Sequence, residues 1–364
     1  MSKAGDSRPL RILVVDDSAY NRRNIGDILA SAPDIELVGK AGDGEEALRL
    51  ATTVRPDVIT LDLEMPKMDG FTFLRILMSR QPTPVIVVSS YSQKENVFKA
   101  LELGAVDFVA KPDRQVSPDA KELREQILSK IQMIRNLRSS ALRPGRAPMA
   151  SRASFTNEMA PAAPPPPPRQ VSVTPRNIVV IGSSTGGPTA LIDIFAKMPT
   201  RCPNSLLVAQ HMPDKFTRTF AERLDRKGAM RVTEAQDMDM VSAGTGAICP
   251  GRQCMEIEAI SGTTECRVRV SAAAPGDRYV PSANRLFRSA ATALGNRAIG
   301  VILTGMGDDG VEGARAIRAA GGIIICESQE TAVVYGMPGA AVRAGLASET
   351  MPLPEIADYL AKLH

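Results

Sequence analysis

Residues 178–188 read Ile178-Val-Val-Ile-Gly-Ser-Ser-Thr-Gly-Gly-Pro188, and an amphipathic stretch, Pro188–Lys197, follows. The run Ile178–Ile181 is β-branched throughout and too short for a buried helix. It reads as a strand buried on both faces. Strand, Gly-rich turn and helix together form the repeating unit of a parallel α/β sheet. Apolar runs at Leu206–Gln210, Ile299–Leu303 and Ile323–Cys326 extend that sheet. The stretch of about 229–280 carries short alternating segments, Met255-Glu-Ile-Glu and Arg267-Val-Arg-Val, and predicts a β-rich insertion.

Upstream of this unit the composition changes. Residues 139–175 hold the unbroken run Pro164–Pro168 among Ala, Ser and Arg. Such a segment cannot bury a core, so it predicts a linker with an extended polyproline portion. The chain then divides into a domain over 10–138, the Pro-rich linker over 139–175, and a domain over 176–364. In the first domain, short apolar runs (Ile12–Val15, Val58–Leu61, Val85–Val88, Phe108–Ala110) alternate with amphipathic stretches (Ala19–Ala30, Glu45–Val54, Phe71–Ser79, Asn96–Leu103). That alternation predicts a second doubly wound parallel sheet.

Composition agrees with two such domains and excludes several classes. The chain has 364 residues, 44% of them hydrophobic but only 4% aromatic, with no Trp. Aliphatic cores of this kind suit parallel sheets. The formal net charge is +4. Several basic residues lie in or beside the Pro-rich segment rather than on one face of a folded element, so nucleic-acid binding is not expected. Five Cys make an odd number with no Cys-x-x-Cys, which predicts free thiols in a reducing compartment. Met1–Pro9 is polar, and no run of 18 apolar residues exists. The expectation is a cytoplasmic protein without membrane insertion, most simply a monomer.

Ligands of open α/β sheets sit beyond the carboxyl ends of the strands. In the first domain those ends carry Asp16 and Asp17, then Asp62, then Ser89 and Ser90, then Lys111 followed by Pro112. Adjacent carboxylates need a cation, and hard Mg²⁺ takes carboxylate and phosphate oxygens together. One Asp can then attack phosphorus, with Lys111 and Ser89 contacting the phosphoryl oxygens. Each Asp alone also fits a helix cap or a solvated loop. The joint pattern favours a phosphoryl-transfer pocket.

In the second domain Gly182-x-Ser184-x-Gly186 fits a nucleophile elbow, a sharp and strained turn that needs small neighbours. A helix start adds backbone N–H groups for an oxyanion. The same turn also fits an anion cradle, although a P-loop Lys and Gly-x-Gly-x-x-Gly are both lacking. Histidine discriminates between the two readings. Apart from the last residue the chain has only His211, in Gln210-His211-Met212-Pro213 after another strand. A Ser nucleophile needs such a base. A third strand ends in Thr304-Gly305-Met306-Gly307-Asp308-Asp309-Gly310. Of its two carboxylates one is expected to orient the imidazole and the other to cap the helix Val311–Ala320; spacing leaves the choice open. The order Ser, His, Asp is not that of α/β-hydrolases.

Asp16-Asp17, the run Leu61-Asp62-Leu-Glu64-Met-Pro-Lys-Met-Asp-Gly70, Ser89 and Lys111-Pro112 resemble the response-regulator receiver family, a flavodoxin-like fold, over roughly 10–130. The resemblance implies Asp62 as phosphoacceptor, supported by Ser89 and Lys111. It implies Mg²⁺ held by Asp17 and Asp62, with Asp16 through water and the Glu64 carbonyl, and Phe108 at the switch-aromatic position. The elbow, Gln210-His-Met-Pro213, Thr304-Gly-Met-Gly-Asp-Asp-Gly310 and Tyr335-Gly-Met-Pro338 resemble the protein-glutamate methylesterases of bacterial chemotaxis, the CheB family, which carry a receiver in front. That resemblance implies Ser184 as nucleophile, His211 as base, Asp309 as orienting acid, the Met306 N–H as oxyanion donor and Thr185 in support. It further implies hydrolysis of glutamyl γ-methyl esters, and deamidation of certain glutamines, on methyl-accepting chemoreceptors. No cofactor is implied for that reaction. A chemotaxis histidine kinase is implied as phosphodonor, with activation on phosphorylation.

Overall fold

The computed structural model describes residues 8–111, 120–141 and 174–363. Residues 142–173, most of the Pro-rich segment, and Pro112 lie outside the described residues; residues 139–141 are helical rather than linker. The chain separates into two compact units, Met1–Ala153 and Ser154–His364.

The first unit is a five-stranded parallel sheet in the order β2-β1-β3-β4-β5. Its strands are β1 (Leu10–Val15), β2 (Ile35–Ala41), β3 (Val58–Leu61), β4 (Val85–Ser90) and β5 (Asp107–Lys111). Between and after them run α1 (Ala19–Ala30), α2 (Gly44–Val54), α3 (Gly70–Arg80), α4 (Lys94–Glu102) and α5 (Ala120–Ala141). This is the flavodoxin-like order with its switch point between β1 and β3. β1 and β3 are buried almost end to end because helices cover both faces. β2 is the half-exposed edge strand, so its sequence lacks the apolar run that marks the others. Ser18, Asp43 and Asp69 cap α1, α2 and α3, each accepting a backbone N–H of the first turn.

The second unit is a seven-stranded parallel sheet in the order β14-β13-β12-β6-β7-β9-β8. The strands are β6 (Ile178–Ser183), β7 (Ser205–Gln210), β8 (Arg231–Glu234), β9 (Thr245–Ile248), β12 (Ile299–Ile302), β13 (Ile323–Glu327) and β14 (Glu349–Met351). β10 (Gln253–Ala259) and β11 (Cys266–Ala272) pair antiparallel as a separate hairpin. The β-rich stretch therefore divides, and β8 and β9 extend the main sheet. The helices are α6 (Gly187–Lys197), α7 (Asp214–Lys227), α8 (Ala283–Leu294), α9 (Val311–Ala319), α10 (Met337–Arg343) and α11 (Leu353–Lys362). Helix α8 buries Ala283, Leu286, Phe287, Ala290 and Leu294, a single helical stripe. It lies so close to β6 that a Cβ on Gly182 would come within 2.7 Å of the Ala283 side chain. That contact brings the start of α8 to the carboxyl ends of β6 and β12. No helix among the described residues is long and apolar enough to cross a membrane.

Candidate active site

β6 and β7 pair in parallel with Ser183 opposite Gln210. Ser184 and His211 are the next residues on each chain, so they leave adjacent strands side by side, about 5 Å apart in backbone. Buried Gln210 reinforces this. Its amide nitrogen donates to the carbonyls of both Ser184 and His211 (2.9 Å each), and its oxygen accepts from the Ser183 hydroxyl (2.7 Å). The turn is formed differently from the strained elbow expected. Ser184 is not among the residues with positive φ, and the left-handed position is Gly186 (φ +79°), two residues on. A side chain at Gly186 would also run into Val333.

The backbone donors expected at the turn are partly consumed. The Ser184 N–H donates to the Thr304 carbonyl (3.0 Å) and the Gly187 N–H to the Ser184 carbonyl (2.8 Å). The Met306 N–H has no partner among the described residues, and the Met306 side chain is exposed. Thr185 is buried, and its carbonyl accepts the Thr304 hydroxyl (2.8 Å).

Asp309 and Asp308 part company. Asp309 is fully buried, and its Oδ2 lies 2.8 Å from His211 Nε2. It also accepts the N–H groups of Ala283 (2.7 Å), Asn284 (3.0 Å) and Gly310 (3.0 Å). The first two belong to the opening turn of α8, whose positive end favours a carboxylate. Asp308 is half exposed and pairs instead with the Tyr279 hydroxyl (2.9 Å) and Arg278 (3.3 Å). It does not cap α9 with its side chain; the N-cap there is Gly310. With Nε2 turned to Asp309, Nδ1 is the ring nitrogen left to face Ser184. Ser184 Oγ hydrogen-bonds to no described residue, so the serine–imidazole contact is not made in this state, as is common before substrate binds.

Sequence reasoning missed three contributors. Tyr279 stacks on His211, with ring centroids 5.3 Å apart and planes 7° from parallel. Burial and the bond to Asp308 both push its phenol up. Thr304 gathers the turn: its hydroxyl reaches the Thr185 carbonyl and accepts the Val334 N–H (2.9 Å). Its own N–H donates to Glu327 (2.8 Å), a buried carboxyl pushed by burial up to about 7. These residues come from three separate segments and share no local motif. The only hint in the sequence was a charged residue, Glu327, closing an apolar strand.

In the first unit Asp16, Asp17 and Asp62 bring their carboxylates within 4.8 Å of one another. Lys111 Nζ stands 2.5 Å from Asp62 and 2.8 Å from Asp16. Burial pushes the Asp62 carboxyl up, against the opposing pull of Lys111. Burial works against the Lys111 charge, but Asp62 and Asp16 outweigh it and raise the ammonium. Asp16 Oδ2 is buried, and its near partner is the Lys111 ammonium. Three converging carboxylates, an all-oxygen donor set, suit a hard divalent cation. Asp17 and Glu64 line a depression of about 510 Å³ together with Asp69 and Phe71. Ser89 is buried, and its hydroxyl donates to Gln93 Oε1 (2.6 Å). Phe108 is buried beside Phe98.

Comparison with known proteins gives consistent matches. A family model described as CheB methylesterase matches residues 179–360, and one described as response regulator receiver domain matches residues 12–120. The chain is 46% identical to protein-glutamate methylesterase/protein-glutamine glutaminase 1 of Myxococcus xanthus, with 97% of each chain covered. It is 45% identical to the methylesterase/glutaminase 3 of Geobacter sulfurreducens, with 95% of each covered. Among solved structures it is similar to the CheB methylesterase catalytic domain of Thermotoga maritima. That match has 37% identity and a TM-score of 0.50, and covers 52% of this chain and 98% of that one.

Proposed function

The chain belongs to the CheB methylesterase family, with a response-regulator receiver domain in front, and from that premise we propose that it hydrolyses glutamyl γ-methyl esters on chemoreceptors by a Ser184-His211-Asp309 triad under the control of Asp62. The observation that carries the reading is the Nε2–Oδ2 bond of 2.8 Å between His211 and buried Asp309, one residue beyond a β6–β7 pairing that brings the backbones of Ser184 and His211 to adjacent strand ends.

In this reading Asp309 holds the His211 Nε2–H, so Nδ1 carries the lone pair. Ser184 Oγ attacks the ester carbonyl as Nδ1 takes its proton. The developing oxyanion is met by the Met306 N–H. Collapse expels methanol, which takes the proton from Nδ1 and leaves a glutamyl ester on Ser184. Water, deprotonated by the same nitrogen, attacks that ester and frees the receptor glutamate and Ser184. A glutamine follows the same course with ammonia as leaving group. Thr185 and Gln210 keep the turn in register.

In the receiver, Asp16, Asp17, Asp62 and the Glu64 carbonyl would hold Mg²⁺. Bound there, Mg²⁺ would neutralise the converging carboxylate and phosphoryl charges. Asp62 then accepts a phosphoryl group from the chemotaxis histidine kinase, Lys111 pairs with it, and Ser89 turns to it from Gln93. Phosphorylation shifts a two-state equilibrium towards the active esterase.

The test is methanol release from methylated receptor with and without a small phosphodonor. Ser184→Ala and His211→Ala are expected to abolish it, and Asp62→Asn to abolish only the response to the phosphodonor. Full activity in either triad variant refutes the triad; a phosphodonor response in Asp62→Asn refutes the control.

A further inference from the structure

Residues 273–281, between β11 and α8, carry no residue with an assigned part in the reaction, yet they are held at both ends of a short relay. At one end is Asp277. Its Oδ2 accepts the Ala274 N–H (2.7 Å) and an Arg285 N–H (3.0 Å). Arg285 also grips Ser271 (3.0 Å) and Glu256 on the hairpin. It projects from the first turn of α8, the turn whose Ala283 and Asn284 N–H groups hold Asp309. At the other end is Tyr279, flat against the His211 ring. Its hydroxyl bonds Asp308, which is flanked by Arg278. Gly307 passes beneath that hydroxyl: it has φ +88°, and a Cβ there would come within 2.5 Å of Tyr279 Oη. One phenol ring thus touches both the base and the loop of the expected oxyanion donor.

We infer that Tyr279 is a positioning residue for the reaction: its ring holds the His211 plane so that Nε2 stays on Asp309 and Nδ1 faces Ser184, while its hydroxyl fixes the 306–308 loop. The inference rests on the triad reading above and goes beyond it. Asp309 anchors only one ring nitrogen, and the side-chain torsions of His211 keep freedom to tilt the ring about it. A parallel ring across the face removes that freedom and excludes water from it. The stack also discriminates between states. A neutral imidazole gains little electrostatically from an aromatic face, but the imidazolium formed in the transition state is a cation over a π system, within the distance at which such contacts are favourable. The benefit belongs to the chemical step rather than to substrate binding.

The experiment compares the full-length chain with Tyr279→Leu, Tyr279→Phe and Ser184→Ala in steady-state methanol release with phosphodonor present. Tyr279→Leu is expected to lower kcat roughly three- to thirtyfold with KM nearly unchanged. Tyr279→Phe, which keeps the ring but loses the bond to Asp308, recovers part of the loss. If Tyr279→Leu loses its thermal transition, Asp277→Ala loosens the same loop without touching the ring, and should lower kcat in the same way. Wild-type kcat in a folded Tyr279→Leu or Asp277→Ala, or a loss that falls wholly on KM, overturns the inference while leaving the triad intact. Methanol release by Ser184→Ala instead refutes the triad itself.

Discussion

Asp309 and Glu327 are buried carboxyls near neighbouring strand ends of one sheet, and their surroundings make them opposites. Asp309 is met by three backbone N–H groups and an imidazole, a setting built for a charge. An amide cannot satisfy it, because either orientation turns an NH₂ towards donors. Asp309→Asn is therefore expected to lower kcat by about 10³–10⁴-fold, read as methanol release, and to lower the melting temperature as well. Glu327 has a single backbone donor, Thr304, and the side chain of Thr331. Its carboxyl ionises near 4.5 when unfolded and is pushed by burial to about 7 when folded. The folded state retains the proton longer. The stability this lends is full below about pH 4.5 and is lost as pH rises through about 7. Glu327→Gln should then melt above wild type at pH 8, by on the order of 3 kcal/mol at most, and the gap should close by pH 5. An equal gap at both values would mean that Glu327 does not titrate in this range. At this scale Ser184 and His211 were legible because strand-end polar residues interrupt apolar runs. Asp308 against Asp309 was not legible from spacing, since adjacent carboxylates differ only in which way the turn points them. Tyr279 gave no signal of function, and Glu327 gave only that of a charge closing an apolar strand.

The opening turn of α8 organises the site at the level of elements. Ser282 caps it by accepting the Arg285 N–H. The next two N–H groups hold Asp309, and Arg285 anchors the Tyr279 loop. Ser282→Ala is expected to cost about 1 kcal/mol of stability, seen in urea unfolding. It should lower kcat more than KM, because the frayed turn carries Asp309 with it; an unchanged kcat would separate the cap from the site. Most elements that frame the site were readable as short β-branched runs and amphipathic helices. Edge strands were not. β2 is half exposed, so it alternates irregularly rather than forming an apolar run. β8 and β9 lie in a β-rich stretch whose partners only the sheet reveals. The sequence also left open which residue of the elbow takes the left-handed conformation; Gly186 does, and spares Ser184.

The whole chain consists of two units with separate sheets and separate cores. Each buries its own strands, so each should fold alone. A fragment of residues 174–364 is expected to unfold in one transition and to release methanol at a rate that depends on Ser184 and is indifferent to a phosphodonor. A phosphodonor response in that fragment would take control away from Asp62. By itself the sequence determined the parallel α/β class of both units, the strand-end placement of Asp16, Asp17, Asp62, Ser184 and His211, and the family. The reason is that buried strands and the polar residues at their ends are written locally, in a few consecutive residues. Spacing left Asp308 and Asp309 equal and the family resemblance named Asp309; only the tertiary structure showed the Asp309–His211 contact, the ring nitrogen it takes, and the Tyr279 ring stacked on the imidazole. Those contacts join segments about 30 to 100 residues apart, and such distances are set by how α8 packs on β6, a matter of side-chain volume and helix position that no single stretch of sequence encodes.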